Sequence, residues 1–291
     1  MYRIMRKYMI LIFFLFLVIG MSGFRVEARS ADKLTVHFID VGEGDSILIR
    51  CGGKSMIIDF GNGYNYKKLR QYLMKQRIKL VDYAMLTHPH YDHMGGMPYF
   101  LQEFKVKNTF IPLPSVSRPM YHTCINLCKE KRINILHAGK GQTYRLGSAK
   151  VQIVSEGMQD ARTSDFNDNS YVVRVVHGKN RFLLLGDASP RLEKKIMKGG
   201  IPYRANVVKI AHHGAKKGTT KKFLKKIHAK YAVILTGKEN KLKHPSAKKL
   251  KMIHSLGLKM FRTDLQGTIV VKSNGKKLKW NRKPSKNFSG Y

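Results

Sequence analysis

The sequence predicts an α/β fold in which two sheets pack face to face with helices outside them. Two observations lead there. From Lys33 onward, apolar runs of strand length alternate with segments of helical spacing. The alternation fills two similar halves, the second strand-rich and beginning at Ser170, with no internal repeat detectable by eye. A chain of 291 residues, 43% of them hydrophobic, is long enough for one large domain or two small ones with a sizeable core.

In order, Leu34 to Ile39, Ser46 to Arg50 and Ser55 to Asp59 read as strands separated by glycine turns. Tyr66 to Arg77 has helical spacing and ends in basic residues. Leu80 to Leu86 is a buried strand, Met120 to Lys131 a helix, and Lys150 to Val154 a strand. Glu156 to Asp168 is polar and irregular, a loop suited to border a site. Tyr171 to Val176 and Arg181 to Leu185 form a hairpin around Gly178-Lys179-Asn180, and Asn206 to Ile210 is another buried strand. Thr219 to Ala229 places Phe223, Leu224 and Ile227 on one helical face and lysines on the other. Tyr231 to Leu235 is a strand, Ser246 opens the last helix near to Gly257, and Gly267 to Lys272 and Lys277 to Trp280 close the chain as strands. The expected domain spans residues 33–283, with 284–291 as a tail lacking a core-forming pattern.

The N-terminus, residues 1–28, reads as a signal peptide. Arg3, Arg6 and Lys7 form a basic region, Met9 to Ile19 an apolar one too short for a comfortable span, and Val26-Glu27-Ala28 a cleavage site. No cysteine at this boundary argues for a lipoprotein. The expectation is a secreted or cell-surface protein with no stable span after cleavage; an uncleaved anchor with the domain outside is the alternative. Cys124 and Cys128 sit four apart on a predicted helix, poor disulfide geometry, and Cys51 follows a strand, so buried or free thiols are expected. The net charge of +37 is mostly lysine and thickens toward the C-terminus. Such a field either attracts polyanions (nucleic acid, anionic membrane or phosphate-rich wall polymer) or serves only as a solubilising lysine surface. No arginine/aromatic recognition module accompanies it.

The chemistry concentrates in His88-Pro89-His90-Tyr91-Asp92-His93, directly after the Leu80–Leu86 strand. Three histidines and a carboxylate on a tight loop suit zinc, manganese or iron. His88 and His90 can grip one metal, Asp92 and His93 a second, and a two-metal centre generates a nucleophile from water near neutral pH. Asp187 ends the apolar run Phe182-Leu-Leu-Leu-Gly186. Alone it reads as the N-cap of the helix begun by Ala188-Ser189-Pro190; beside a metal loop it is the natural bridging ligand. His212 and His213 end a strand before Gly214, so one can ligate while the other faces substrate. Asn167-Asp168-Asn169-Ser170 can hold a water or a phosphate oxygen. As a lone turn, Asp40-Val41-Gly42-Glu43-Gly44-Asp45-Ser46 carries no functional information.

Taken together, Thr87-His-Pro-His-Tyr-Asp-His93 resembles the T-H-x-H-x-D-H signature of the metallo-β-lactamase superfamily. Phe38-Ile-Asp-Val-Gly-Glu-Gly-Asp-Ser46, Asn169-Ser170, Leu185-Gly-Asp-Ala188, Ala211-His-His-Gly214, His244-Pro-Ser246, and Arg262-Thr-Asp264 with Gly267-Thr268 are similar to the hydrolase domain linked to the DNA-uptake protein ComEC. The resemblance covers about Leu34 to Val271. It implies a four-layer αββα sandwich with two divalent metals, zinc first and manganese as the alternative, at one edge between the sheets. His88 and His90 would bind the first metal, Asp92 and His93 the second, and Asp187 would bridge. His213 would be a further ligand with His212 nearby for phosphate, their roles open to exchange. ComEC's membrane channel is not seen here, so a freestanding, competence-related exported relative is expected.

One departure matters: where many members carry a third histidine for the first metal, this chain offers Asn167-Asp168-Asn169-Ser170. That tells against β-lactamase and glyoxalase activity. His at position 90, in place of Glu, disfavours the di-iron redox branch, and the chain lacks room for the insert of the RNA-processing nucleases. The expected activity is a metal-dependent phosphodiesterase acting on DNA or a teichoic-acid-like polymer through a two-metal-activated hydroxide. Asp92 would help position the nucleophile, and His212, Asn169, Ser170 and His244 would hold substrate. A carboxylic ester or lactone hydrolase, or a non-catalytic polyanion-binding module, are the alternatives.

Overall fold

Most strands are apolar runs because they are covered on both faces. The computed structural model describes residues 32–112, 119–158, 165–239 and 241–291. The predicted signal peptide and residues 159–164 of the predicted loop lie outside them.

β1 (Leu34–Phe38) and β2 (Ile47–Cys51) turn Val36, Phe38, Ile47 and Ile49 into the core between the sheets, while Leu48 packs outward under helices. β3 (Lys54–Ile58) is antiparallel to β2, and β4 (Leu80–Met85), β5 (Lys105–Phe110) and β6 (Asn134–Leu136) follow in parallel. The second sheet starts with the antiparallel β7 (Thr143–Leu146), β8 (Ala149–Ser155), β9 (Val172–His177) and β10 (Asn180–Leu184). It continues in parallel through β11 (Val207–Lys209), β12 (Tyr231–Ile234) and β13 (Lys259–Arg262). β14 (Ile269–Ser273) and β15 (Leu278–Trp280) return to the first sheet, whose order is β15-β14-β1-β2-β3-β4-β5-β6; the other runs β13-β12-β11-β10-β9-β8-β7.

Parallel neighbours need crossovers, and the helices supply them. Over the first sheet lie α1 (Tyr66–Lys75), the single turn α2 (Tyr91–Met94), α3 (Met97–Glu103) and α4 (Pro119–Glu130). Tyr66, Leu69 and Leu73, spaced three and four apart, are the buried stripe of α1. Over the second sheet lie α5 (Pro190–Lys198), α6 (Lys221–Ile227) and α7 (Ala247–Ser255), followed by the short α8 (Thr263–Gln266). The chain is thus a four-layer αββα sandwich. Among the described residues no helix is long and apolar enough to cross a membrane. All three cysteines are buried and free.

The two sequence halves do not map one to one onto the two sheets. β7 and β8 leave the first half for the second sheet, and the C-terminal hairpin pairs with β1, Leu34 opposite Ser273. Strands β5, β6, β7 and β13 and helix α3 were not predicted. β5 reads Lys-Val-Lys-Asn-Thr-Phe and β7 Thr-Tyr-Arg-Leu, too polar to signal a strand without their neighbours. Residues 284–291 lack a core pattern yet are held by their backbone: Ser285 N–H donates to Met260 O at 2.7 Å, and Arg262 Nη1 to Ser289 O at 2.6 Å.

Candidate metal centre

Three loops of the first sheet are bound to one another before any ligand is considered. Thr87, just past β4, donates its N–H and Oγ1–H to the Asp59 carboxylate at 2.7 and 2.8 Å. Asp59 follows β3 with φ 60°, a left-handed backbone that a non-glycine residue adopts rarely. The β1–β2 turn docks on the other side. Asp45 N–H donates to Asp92 O at 3.2 Å, and Gly44 is needed because a Cβ there would lie 2.0 Å from Asp92 O.

The second sheet delivers its residues from the ends of β10 and β11. Asp187 N–H donates to Ser170 Oγ at 3.2 Å. Ser189, not Asp187, caps α5, accepting from Leu192 N–H at 3.1 Å, so the Asp187 carboxylate is left to the centre. Beyond β11, His212, His213 and Gly214 are all left-handed, at φ 54°, 50° and 81°. That run throws the two imidazoles apart, their rings at 80° to each other.

The buried histidines spend one ring nitrogen on the protein and aim the other at Asp187. Thr87 Oγ1 has given its proton to Asp59, so at 3.1 Å it accepts from His88 Nδ1–H. His93 Nδ1–H donates to Asp59 Oδ2 at 2.7 Å, and His213 Nδ1–H to Leu235 O at 3.0 Å. The three Nε2 atoms converge, His88 at 3.9 Å from Asp187 Oδ2, His93 at 3.3 Å from Oδ1 and His213 at 3.6 Å from Oδ2. His90 Nδ1 is 2.9 Å from His88 Nε2, and Asp92 Oδ2 is 3.0 Å from His213 Nε2. Besides the group Asp45, Asp59 and His93, two donor groups result: His88, His90 and Asp187, and Asp92, His93, Asp187 and His213. Asp187 belongs to both.

The electrostatics fit a pair of cations. Burial drives His88 well below the ordinary imidazole value, toward the neutral form a metal needs. Burial opposes charge on His93 and His213 too. There the carboxylates win: Asp187, Asp59 and Asp92 hold His93 well above its ordinary value, and Asp187 and Asp45 lift His213 to about 10. The same field holds Asp187 and Asp92 below theirs despite burial. His93 Nε2 is buried with no hydrogen-bond partner. Divalent ions would satisfy the same carboxylates, and metal binding displaces protons from such ligands.

His212 stands at the rim, its side chain 29% exposed and its Nε2 3.9 Å from Asp187 Oδ2. His213, and not His212, sits inside a donor group. His244 lies beside His212, ring centroids 5.6 Å apart. Burial, then the charges of His213 and His212, lowers it to about 4. Ser170 and Asn169 are buried, and Ser170 supports Asp187. Asp168 bonds the Ser189 hydroxyl and pairs with Arg191 at 3.2 Å, so it holds α5 and does not replace the third histidine.

Three residues that matter here escaped the sequence reading: Asp45, Asp59 and Lys209. Lys209 is fully buried, ion-paired with Asp45, 3.7 Å from Asp187 Oδ1 and bonded to Gly186 O at 2.9 Å. A lysine in the otherwise apolar Val207-Val208-Lys209-Ile210 run was the available signal.

Residues 39–113, which hold the β1–β2 turn, Asp59 and the metal loop, match the description "Metallo-beta-lactamase superfamily". The chain is thus similar to the metallo-β-lactamase superfamily over the segment that carries its metal loop. The chain is 28% identical over 252 residues to ComE operon protein 3 of Bacillus subtilis (strain 168), covering 80% of this chain and 32% of that protein. It is 26% identical over 255 residues to competence protein ComA of Neisseria gonorrhoeae, covering 87% and 34%. The chain therefore spans about a third of the length of the curated relatives it matches. Among solved structures of this fold, CmlA, a diiron β-hydroxylase from Streptomyces venezuelae, superposes with a TM-score of 0.52 at 13% identity, covering 81% of this chain and 53% of that one. The superfamily match and the two His/Asp groups together point to a metal-dependent hydrolase.

Proposed function

We propose that the chain is an exported phosphodiesterase that cleaves a polyanionic substrate, with DNA the first to test and a teichoic-acid-like wall polymer the second. The observation that carries this is the pairing of two His/Asp groups through Asp187 in a chain of net charge +37. Divalent ions held there, zinc first and manganese second, would lower the pKa of water toward neutrality and offset charge on phosphoryl oxygens. His88 and His90 would hold one, Asp92, His93 and His213 the other, and Asp187 both. His212 is kept below its ordinary value by burial, so near neutral pH its uncharged ring carries one N–H to donate to a phosphate oxygen. His244, beside it, would confine the phosphate on the same side. The lysine-rich surface would draw the polymer in, with binding that weakens as salt rises. The names of the competence relatives favour DNA as the polymer.

The test is turnover of bis(p-nitrophenyl) phosphate by the purified chain with zinc or manganese, beside Asp92→Ala and a chelated sample. Turnover lost in both controls supports the proposal and justifies a DNA-versus-wall-polymer panel. Folded, metal-loaded protein that turns over only carboxylic esters or lactones would replace it. Protein that turns over neither would point to a binding module.

A further inference from the structure

Three arginines converge on a pocket on the outer face of the second sheet. Arg174 on β9 and Arg181 on β10 point away from the intersheet core, because their neighbours Val173, Val175 and Phe182 fill it. Arg204, in the connection from α5 to β11, completes the set around a cavity of about 650 Å³. Met197, Ile201 and Tyr203 give the cavity an apolar wall. Arg174 is anchored from behind: Nε donates to Arg204 O at 2.9 Å and Nη1 to Gln152 Oε1 at 3.4 Å, using two of its five N–H groups. Partial burial, then the charge of Arg181, makes its cation harder to hold than usual. Arg70, Arg191 and Arg262 each have a carboxylate partner. Among the described residues, none of the three pocket arginines has one.

We propose that this pocket binds a phosphate group carried beside an apolar or aromatic moiety. A fixed guanidinium fork matches phosphate oxygens in pairs, which a flexible ammonium does not. An anion would relieve the repulsion between Arg174 and Arg181, and the apolar wall would take the group attached to it. The volume lies in the range of small-ligand sites. Arg181 stands near the start of β10 whereas Asp187 lies past its other end, so the pocket is separate from the metal centre. For a polymer it would be a second point of attachment, raising the effective concentration at the centre. The inference stands whether or not the centre cleaves phosphodiesters.

The test is binding of three probes to the full, metal-loaded chain: inorganic phosphate, adenosine 5′-monophosphate and a labelled oligothymidylate. Wild type is compared with Arg174→Gln/Arg181→Gln, with the exposed Arg204→Gln as a variant that spares the sheet, and with Lys54→Gln/Lys67→Gln, on β3 and α1, as a charge-matched control. Phosphate held at the metal centre is common to all four and cancels. The expected result is at least tenfold weaker binding in the arginine pair and about threefold in Arg204→Gln, the lysine control unchanged and bis(p-nitrophenyl) phosphate turnover unaltered. The probe showing the loss identifies the source of the phosphate: free ion, nucleotide or internal diester. Equal loss in the lysine control, or no loss with any probe, overturns the proposal.

Discussion

Lys209 is ion-paired with Asp45 on the protein side of the metal centre, where neither side chain reaches solvent. Asp45 also lies 3.2 Å from His213 Nδ1, and Lys209 reaches Asp187. One buried cation thus ties a residue from the first sheet to two donors from the second. Removing one member of such a pair leaves an uncompensated charge, at a cost of roughly 3–5 kcal/mol. Lys209→Met should lower stability by about that much in chemical denaturation of the chelated protein. Lys209→Met/Asp45→Asn should recover part of it; a double variant as unstable as the sum of the singles would show that the pair is not coupled.

Asp59 accepts from Thr87 twice and from His93 once. An amide in its place sets an N–H₂ against one of those donors. Asp59→Asn is expected to weaken metal binding by roughly 10–100-fold, the range for groups that orient a ligating histidine. Competition against a chromophoric chelator measures it. Unchanged affinity would mean that His93 keeps its orientation without the carboxylate.

Gly44 has φ 118° and its missing Cβ is filled by the backbone carbonyl of Asp92, which cannot move aside as a side-chain tip can. Gly44→Ala should cost more than about 2 kcal/mol and lower metal occupancy, because relief requires shifting the metal loop. Gly53, at φ 74° with nothing near its absent Cβ, isolates the backbone contribution. Gly53→Ala should be the milder of the two by thermal unfolding.

Between α5, α6 and α7 a buried Glu193 accepts from Thr220 N–H, and Lys249 donates to Thr219 O. Burial raises Glu193 from 4.5 to about 7 and lowers Lys249 from 10.5 to about 8. Glu193 has a raised folded value, so its stabilisation is complete below its unfolded value and is lost as pH rises toward 7. Lys249 has a lowered one, so its stabilisation is present above pH 10.5 and is lost as pH falls through about 8. Their combined contribution should be smallest between about 7 and 8. Glu193→Gln should flatten the acid limb of a stability-versus-pH curve and, by removing the carboxylate that raises Lys249, steepen the alkaline limb; an unaltered acid limb would assign it elsewhere.

The donors legible in the sequence were those whose meaning is local. His88, His90, Asp92 and His93 are contiguous, and Asp187 and His213 mark the ends of apolar runs. Asp45 reads as a turn residue and Asp59 as the end of a strand, because their partners, His213 and His93, lie far along the chain. The capping role open to Asp187 could be decided only once Ser189 was seen to take it. The layers were readable from periodicity and resemblance, but not the exchange of β7, β8 and the terminal hairpin between sheets. Pairing partners distant in sequence leave no local mark, and a strand as polar as β5 is a strand by virtue of its neighbours.

The pairing of β14 with β1 bears on the order in which the chain can fold. Leu34 waits for Ser273, so the first sheet remains open on that side until nearly the whole polypeptide is available. Contacts of such separation slow folding, because loop closure precedes any gain from packing. The metal loop is complete by His93, but both of its donor groups need Asp187 from the other sheet, and the second needs His213 as well. A tightly held pair of ions would therefore report a finished fold.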